Sequence, residues 1–166
     1  MSRLVRCITT LAFVILCAAS SAQDEVKKKA PRRFGFDADD ITFPQQTPKE
    51  AMNSIAKALE RKKVDYLLAH LADAIYVDYW VDQYKDDFPL GKEEGKRLLA
   101  FDRLARETTL YFQNDPLIVK DLRTFAKLAE WKEDEGIAVG TVETIPARKV
   151  FLKKIGDRWF LQNKQQ

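Results

Sequence analysis

The pattern of apolar and polar positions divides the chain after residue 46 into a helical part and a part made of strands. Between residues 47 and 128, apolar residues recur every three or four positions, which places them on one face of an α-helix. From residue 130 onward, short apolar runs are separated by turn signals, which is typical of antiparallel strands. We therefore predict an α+β fold in which N-terminal helices pack on a C-terminal, four-stranded antiparallel meander.

The first predicted helix begins at Thr47, where a capping box introduces an apolar pattern that continues to Lys62. Thr47 can cap the helix, Pro48 suits its first turn, and the Glu50 side chain can reach back to the cap. Further helices are predicted over residues 65–71, 92–114 and 115–128, and the last begins at the sequence Asn-Asp-Pro.

Residues 74–88 fit two structures. Val77, Tyr79 and Val81 alternate with polar or aromatic residues as in a strand. Two series with a spacing of four residues favour a helix, because they fall on opposite faces of it: Tyr76, Trp80, Tyr84 and Asp78, Asp82, Asp86. Because acidic and aromatic residues separate so cleanly, the helix is the better prediction.

The four predicted strands contain the sequences EWKED, GIAVGTVE, RKVFLKKI and RWFLQN. The turn at Gly156-Asp157 suits a two-residue hairpin and would place Leu152 opposite Leu161 and Lys153 opposite Phe160. Val150, Leu152, Trp159 and Leu161 would then share one face. The other face would also be apolar and would need its own cover, so we predict a homodimer or protein-binding face at Phe151, Ile155 and Phe160.

Residues 1–22 have the composition of a cleaved signal peptide. Arg3 and Arg6 precede an apolar run that ends in small residues, and the run is too short to span a bilayer. We therefore expect an exported protein, periplasmic or secreted. Both cysteines, Cys7 and Cys17, would leave with this segment, so the mature chain would hold no disulfide and no thiolate site.

Residues 23–46 are interpreted as a charged, disordered linker before a single domain over residues 47–166. Five basic residues between positions 27 and 33 could contact an anionic envelope surface weakly. Without Arg3 and Arg6, 26 of the 28 Lys and Arg residues remain against 25 Asp and Glu. That near-balance argues against a nucleic-acid binder, and the mature sequence contains no second apolar run long enough for a transmembrane helix.

Two stretches resemble the nuclear-transport-factor-2-like superfamily, and in particular small exported bacterial proteins of that kind. TPKEAMNSIAKALERKKVDYLLAHLAD is similar to its opening helix pair, and VFLKKIGDRWFLQN to its terminal hairpin. The resemblance implies a cone-like α+β fold with a cavity between helices and sheet, and sheet-face dimers. Two helices are predicted over residues 92–128, where the superfamily usually has a strand. The acid, base and tyrosine motifs of its ketosteroid isomerases and polyketide cyclases match no positions here.

Few residues are candidates for catalysis or metal binding. His70 is the single histidine and a candidate general base that Asp65 or Asp73 could orient, or else a surface residue at a helix end. The aspartates of residues 78–87 are interpreted as a solvated helix face, because a helical row cannot wrap a cation. No metal site and no cofactor are predicted.

The aromatic residues provide the best candidates for a ligand pocket, although core packing would explain them as well. They are Tyr76, Trp80, Tyr84, Trp131 and Trp159. The function expected is non-enzymatic binding of a small apolar ligand or a protein partner. The alternatives are a small-molecule isomerase or cyclase that uses a pocket Asp or His70, and a structural envelope-associated protein.

Overall fold

The structure, a computed structural model, describes residues 31–163, and its elements follow the predicted order. Helix α2 continues without interruption into a π-helical turn at Leu67–Leu71, and α3 ends in a 3₁₀ turn at Lys85–Asp87. The elements are β1 Arg32–Arg33, β2 Phe36–Asp37, α1 Pro48–Glu60, α2 Val64–Tyr66, α3 Ala74–Tyr84, α4 Glu93–Asn114, α5 Pro116–Leu128, β3 Glu130–Asp134, β4 Ile137–Thr141, β5 Val150–Ile155 and β6 Arg158–Gln162.

The predicted α+β class is confirmed. Strands β3, β4, β5 and β6 form one antiparallel sheet in sequence order, and α1 contacts both β6 and α5. Residues 74–84, which fitted either a strand or a helix, form α3. Val77 and Val81 are fully buried on its inner side. The helical spacing therefore predicted the structure of this segment correctly, and the strand-like alternation did not.

The capping box at the start of α1 is present. Thr47 Oγ1 accepts a hydrogen bond from the Glu50 backbone N–H at 3.2 Å, and Glu50 Oε2 accepts one from the Thr47 N–H at 3.2 Å. These two bonds satisfy donors that the helix itself leaves unpaired. Met52 and Ile55, one turn further on, are fully buried. The cap therefore fixes the start of the helix that forms the centre of the core.

The terminal hairpin has the predicted register. Leu152 pairs with Leu161, Lys153 with Phe160, and Gly156 takes the positive φ of 64° that the tight turn requires. Leu152 and Trp159 are buried in the core. The other face, with Phe160, is half-buried. The two faces are thus distributed as the alternation predicts.

The predicted disordered linker over residues 23–46 is wrong for its described part, residues 31–46. Strands β1 and β2 form a hairpin there, and the ring of Phe34 at its turn stacks on Phe101 of α4 with centroids 4.2 Å apart. Phe43 is only 1% exposed. The prediction of disorder rested on the charged residues of the segment. Its aromatic residues nevertheless bury enough surface to order it. Residues 1–30, which include the predicted signal peptide, lie outside the described residues.

Residue 45 joins this segment to the sheet. The Trp159 N–H donates to the Gln45 carbonyl at 2.8 Å, and Gln45 Nε2 donates to the Trp159 carbonyl at 2.8 Å. Further along β6, the Asp73 N–H donates to the Leu161 carbonyl at 2.8 Å. The edge of β6 that β5 does not occupy is therefore partly paired, which limits its use as a template for other strands.

Two arginines connect the α3 aspartates to the rest of the fold. Arg33 of the hairpin lies 2.9 Å from Asp78 and also donates to the Ala74 carbonyl. Arg97 of α4 bonds both Asp78 and Asp82. The expectation of a merely solvated acidic face is therefore wrong for Asp78 and Asp82, because the sequence did not show which cations would lie opposite them. Arg33 is likewise committed within the fold, which removes it from the basic segment 27–33 expected to contact an envelope.

His70 lies in the π-helical turn and is buried, at 6% exposure, against the N-terminal hairpin. Its Nε2 lies 2.8 Å from the Phe36 carbonyl oxygen, which can only accept, so Nε2 carries the proton. Burial lowers the pKa of His70 below its ordinary value of 6.5. Arg158 and Arg33 act in the same direction, whereas the hydrogen bond to the Phe36 carbonyl and the charge of Asp40 oppose the shift of this pKa.

A buried neutral histidine makes stability depend on pH. The unfolded chain takes up a proton at His70 as the pH falls through about 6.5, while the folded protein binds it only at lower pH. We expect the free energy of unfolding of the wild type to fall relative to that of His70→Gln between about pH 7.5 and about pH 5. Urea titrations of both proteins measure this difference, and a gap that is constant over the range would contradict it.

Gly140 on β4 lies under the indole of Trp131 on the neighbouring strand β3. A Cβ placed on Gly140 would come within 2.8 Å of two atoms of the ring, Cη2 and Cζ3. Distances that short do not occur between packed carbon atoms, so a larger residue would force the indole away from the sheet. Because Gly140 has no side chain, the indole of Trp131 can pack directly on the backbone of β4.

We expect Gly140→Ala to lower the free energy of unfolding by about 1–3 kcal/mol, the usual cost of overpacking. Gly95→Ala in the first turn of α4 is the matched control, since a Cβ there meets nothing within 4 Å. That variant should be unchanged or more stable by at most about 1 kcal/mol. Equal urea midpoints for Gly140→Ala and the wild type would show that Trp131 does not need the space.

Candidate functional site

A cleft of about 780 Å³ opens between helices α3, α4 and α5 and the end of the β5–β6 hairpin. Helix α3 determines its character, because Val77 and Val81 face the core and turn the aromatic row of the same helix outward. Tyr76, Trp80 and Tyr84 line one wall. Helix α3 is thus apolar on two sides, one of which packs in the core while the other lines the cleft.

The aromatic row of α3 forms a continuous wall. The ring of Trp80 lies 6.5 Å from that of Tyr76 and 5.6 Å from that of Tyr84, and Tyr79 makes an edge contact with it at 5.6 Å. These separations are those of favourable aromatic pairs. Tyr76, Trp80 and Tyr84 are half-buried, and the Arg103 guanidinium lies over the Tyr84 ring, 4.3 Å from its centre. Part of the surface of each ring therefore remains exposed.

The other two predicted pocket residues, Trp131 and Trp159, do not line the cleft. Trp159 is 2% exposed and belongs to the core between sheet and helices, with the Lys154 amine 5.7 Å from its ring. Trp131 covers Gly140 near the opposite edge of the sheet. Sequence spacing could group the α3 residues on one face, but it contained no information on where strand residues would meet that face.

The remaining walls come from residues that the sequence analysis did not single out as site residues. They are apolar positions at the end of α4, the start of α5 and the hairpin: Tyr111, Phe112, Ile118, Leu122 and Leu161. Phe151, predicted for the interface, also lines the cleft. Phe112, Ile118 and Leu122 recur at helical spacing in the sequence. That spacing indicates that a residue is buried but does not distinguish the core from a cleft.

The polar group nearest the aromatic row is Glu107. The Tyr84 hydroxyl donates to Glu107 Oε2 at 2.6 Å, and Arg103 Nε donates to Oε1 at 2.9 Å. These bonds, first of all the one from Tyr84, lower the pKa of Glu107, and the same bond raises the pKa of Tyr84. Glu107 is therefore an ionised carboxylate with both oxygens occupied.

The other lining carboxylates are also committed. Asp115 caps α5 by accepting a hydrogen bond from the Leu117 N–H at 3.1 Å. Asp121 lies 2.8 Å from Arg148 of the loop between β4 and β5. Each acidic side chain of the cleft thus has a donor partner in the protein.

His70 is not among the cleft residues, and its Nε2 proton is directed to the Phe36 carbonyl. The structure therefore supports neither the predicted general base at this position nor a surface histidine. Asp73, one of the two aspartates expected to orient it, accepts the Ile75 N–H at the start of α3 instead. The burial of His70 follows from its π-helical turn, which no periodicity in the sequence indicated.

The outer face of the sheet receives part of its cover from the chain itself. The Arg158 guanidinium lies 5.7 Å from the centre of the Phe160 ring, and Asp40 pairs with it at 2.8 Å. Gln45 Oε1 accepts a further hydrogen bond from Arg158. Ile155 remains 43% exposed. Of the predicted interface residues, Phe160 is thus half-covered and Phe151 belongs to the cleft.

A second depression of about 590 Å³ lies beside the N-terminal hairpin. Of its three arginines, Arg33 and Arg97 pair with Asp78. The third, Arg32, lies 3.9 Å from Asp37 and donates to the Gly35 carbonyl, so the depression offers little free charge to an anion. Among residues 31–163, no group of three or more His, Cys, Asp or Glu side chains is arranged to hold a metal ion. In the same range, no helix has the length and apolar character needed to cross a bilayer.

Comparison of the chain with protein-family models, with curated proteins and with solved structures found no match. The resemblance to the nuclear-transport-factor-2-like superfamily therefore stays a prediction.

Proposed function

We propose that this domain binds a small, largely apolar molecule in the aromatic cleft and does not transform it. The observation that carries the proposal is the wall formed by Tyr76, Trp80 and Tyr84, whose side chains line a cleft of about 780 Å³. Sites for small organic ligands typically have volumes of about 300–1,000 Å³ and are lined by aromatic and aliphatic side chains with few polar groups.

The chemistry of the cleft favours binding over the alternative of an isomerase or cyclase. An acid–base enzyme needs a group whose pKa lies near the working pH and which is free to accept a proton. The Glu107 carboxylate has a lowered pKa and accepts bonds from Tyr84 and Arg103. His70 lies outside the cleft. Binding accounts for the aromatic wall without requiring either group to react.

The proposal predicts that a neutral aromatic dye, N-phenyl-1-naphthylamine, binds in the cleft with a rise in its fluorescence. Trp80→Leu should raise the Kd of the dye about three- to tenfold, because an aromatic contact contributes about 0.5–1.5 kcal/mol beyond its area. Trp131→Leu is the matched control, since Trp131 lies outside the cleft. Urea titrations establish that both variants are folded. Unchanged affinity in Trp80→Leu would contradict the assignment of the site.

We propose self-association through the outer sheet face as a second candidate function. By register, Ile137 and Val139 of β4 share this face with Phe160, and all three are half-buried. An antiparallel sheet that faces water is usually polar on that side. A second copy of the chain would remove these apolar groups, with Ile155, from water.

Sedimentation equilibrium tests this candidate. We expect the wild type to form a dimer at protein concentrations of about tens of micromolar, a usual range for weak association. Phe160→Asp should be monomeric there, because it would bury a carboxylate in the interface. Lys120→Asp, exposed on helix α5, introduces a carboxylate outside the sheet face as a control. A monomeric wild type at that concentration would eliminate the candidate.

A further inference from the structure

We infer that the ligand of the cleft is an anionic amphiphile, with its apolar part against the aromatic row of α3 and its negative group at Lys149. The inference rests on the proposed function and adds the charge of the ligand to it. It follows from how the charged side chains around the cleft are paired, since an ionic group that lacks a protein partner is the one available to a ligand.

Five charged side chains line the cleft, and four of them are committed to other groups. Glu107 is bonded by Tyr84 and Arg103, and Asp115 caps α5. Asp121 and Arg148 pair with each other at 2.8 Å. A cationic ligand would have to displace one of these donors from its carboxylate, so the acidic residues do not form a ready cation site.

Lys149 is the fifth charged side chain. Within residues 31–163 its amine makes no ion pair, and the residue is exposed at the rim of the cleft directly before β5. Its uncommitted positive charge gives the cleft an electrostatic preference that the aromatic wall alone lacks. A lysine side chain can lay its methylene groups along apolar surface while the amine reaches an anion in water.

The loop that carries Lys149 is held in place, which fixes this charge at the rim. Val142 at its start is buried, and Ile145 packs against the core. The Arg148 N–H donates to the Ile145 carbonyl at 3.1 Å, and the Arg148 side chain reaches Asp121 on α5. The backbone next to Lys149 is therefore tied both to its own loop and to the helix that forms the opposite wall.

The matched ligands are decanoate, 1-decanol and decyltrimethylammonium, which share the alkyl chain and differ in the charge of the head group. Each is titrated against the protein loaded with N-phenyl-1-naphthylamine, and displacement of the dye gives its affinity. We expect decanoate to bind about two- to fivefold more tightly than 1-decanol at low ionic strength, the ratio for an exposed ion pair. The ammonium compound should bind most weakly, and salt should reduce the differences.

Two variants should move the preference in opposite directions. Lys149→Gln should abolish the advantage of decanoate over 1-decanol. Asp121→Asn should increase the advantage, because it frees the Arg148 guanidinium and removes a negative charge from the cleft. Lys132→Gln is the control, as that lysine is exposed on β3 and does not line the cleft.

The outcomes separate this inference from the proposed function. If 1-decanol displaces the dye as well as decanoate does, or if Lys149→Gln keeps the preference, the inference is wrong and the apolar cleft stands. If none of the three compounds displaces the dye and the dye itself does not bind, both the inference and the proposed function are wrong. Preference for the ammonium compound would also overturn the inference.

Discussion

Strand β6 is the element on which the other parts of the molecule depend. Its hydrogen bonds run to β5 on one side and to Gln45 and Asp73 on the other, while its inner face contacts α1 and the π-helical turn. Segments distant in sequence thus meet at five residues. The buried Trp159 lies at this junction, and its backbone N–H and carbonyl are both bonded to Gln45. The position of the N-terminal segment, the sheet and the first helices is therefore set by one strand.

The cleft exists because this packing is uneven. Close to Trp159 the helices and the sheet are in direct contact, whereas at the end of the hairpin the sheet and the helices α3, α4 and α5 leave a space between them. Leu161 and Gln162 of β6 line that space. The aromatic side chains of α3 therefore line a wall of the cleft and do not complete the core. Because no other element packs against them there, their contacts with the Trp80 ring stabilise the wall.

Local patterns in the sequence predicted the local structure well. The capping box at Thr47, the register around Gly156 and the helical spacing in α3 each depend on neighbouring residues, and each is present in the structure. The predictions that failed depend on contacts between distant segments. Phe43 is buried although its segment is polar, and His70 is buried against the N-terminal hairpin, where the Phe36 carbonyl accepts its hydrogen bond. No local pattern contains that information, and for the same reason the aromatic residues of α3 could not be separated in advance from Trp131 and Trp159.

The distribution of charge on β3 has a consequence for growth of the sheet. With β6 partly paired along its outer edge, β3 is the strand of the described sheet whose outer edge has no neighbouring strand. Four of its five residues are charged and exposed, and three of these are acidic. Two copies that approached each other edge to edge would bring like charges together and would have to remove them from water. Open-ended stacking of sheets into fibrils is thereby opposed, and an encounter between two molecules is directed toward the faces of the sheet.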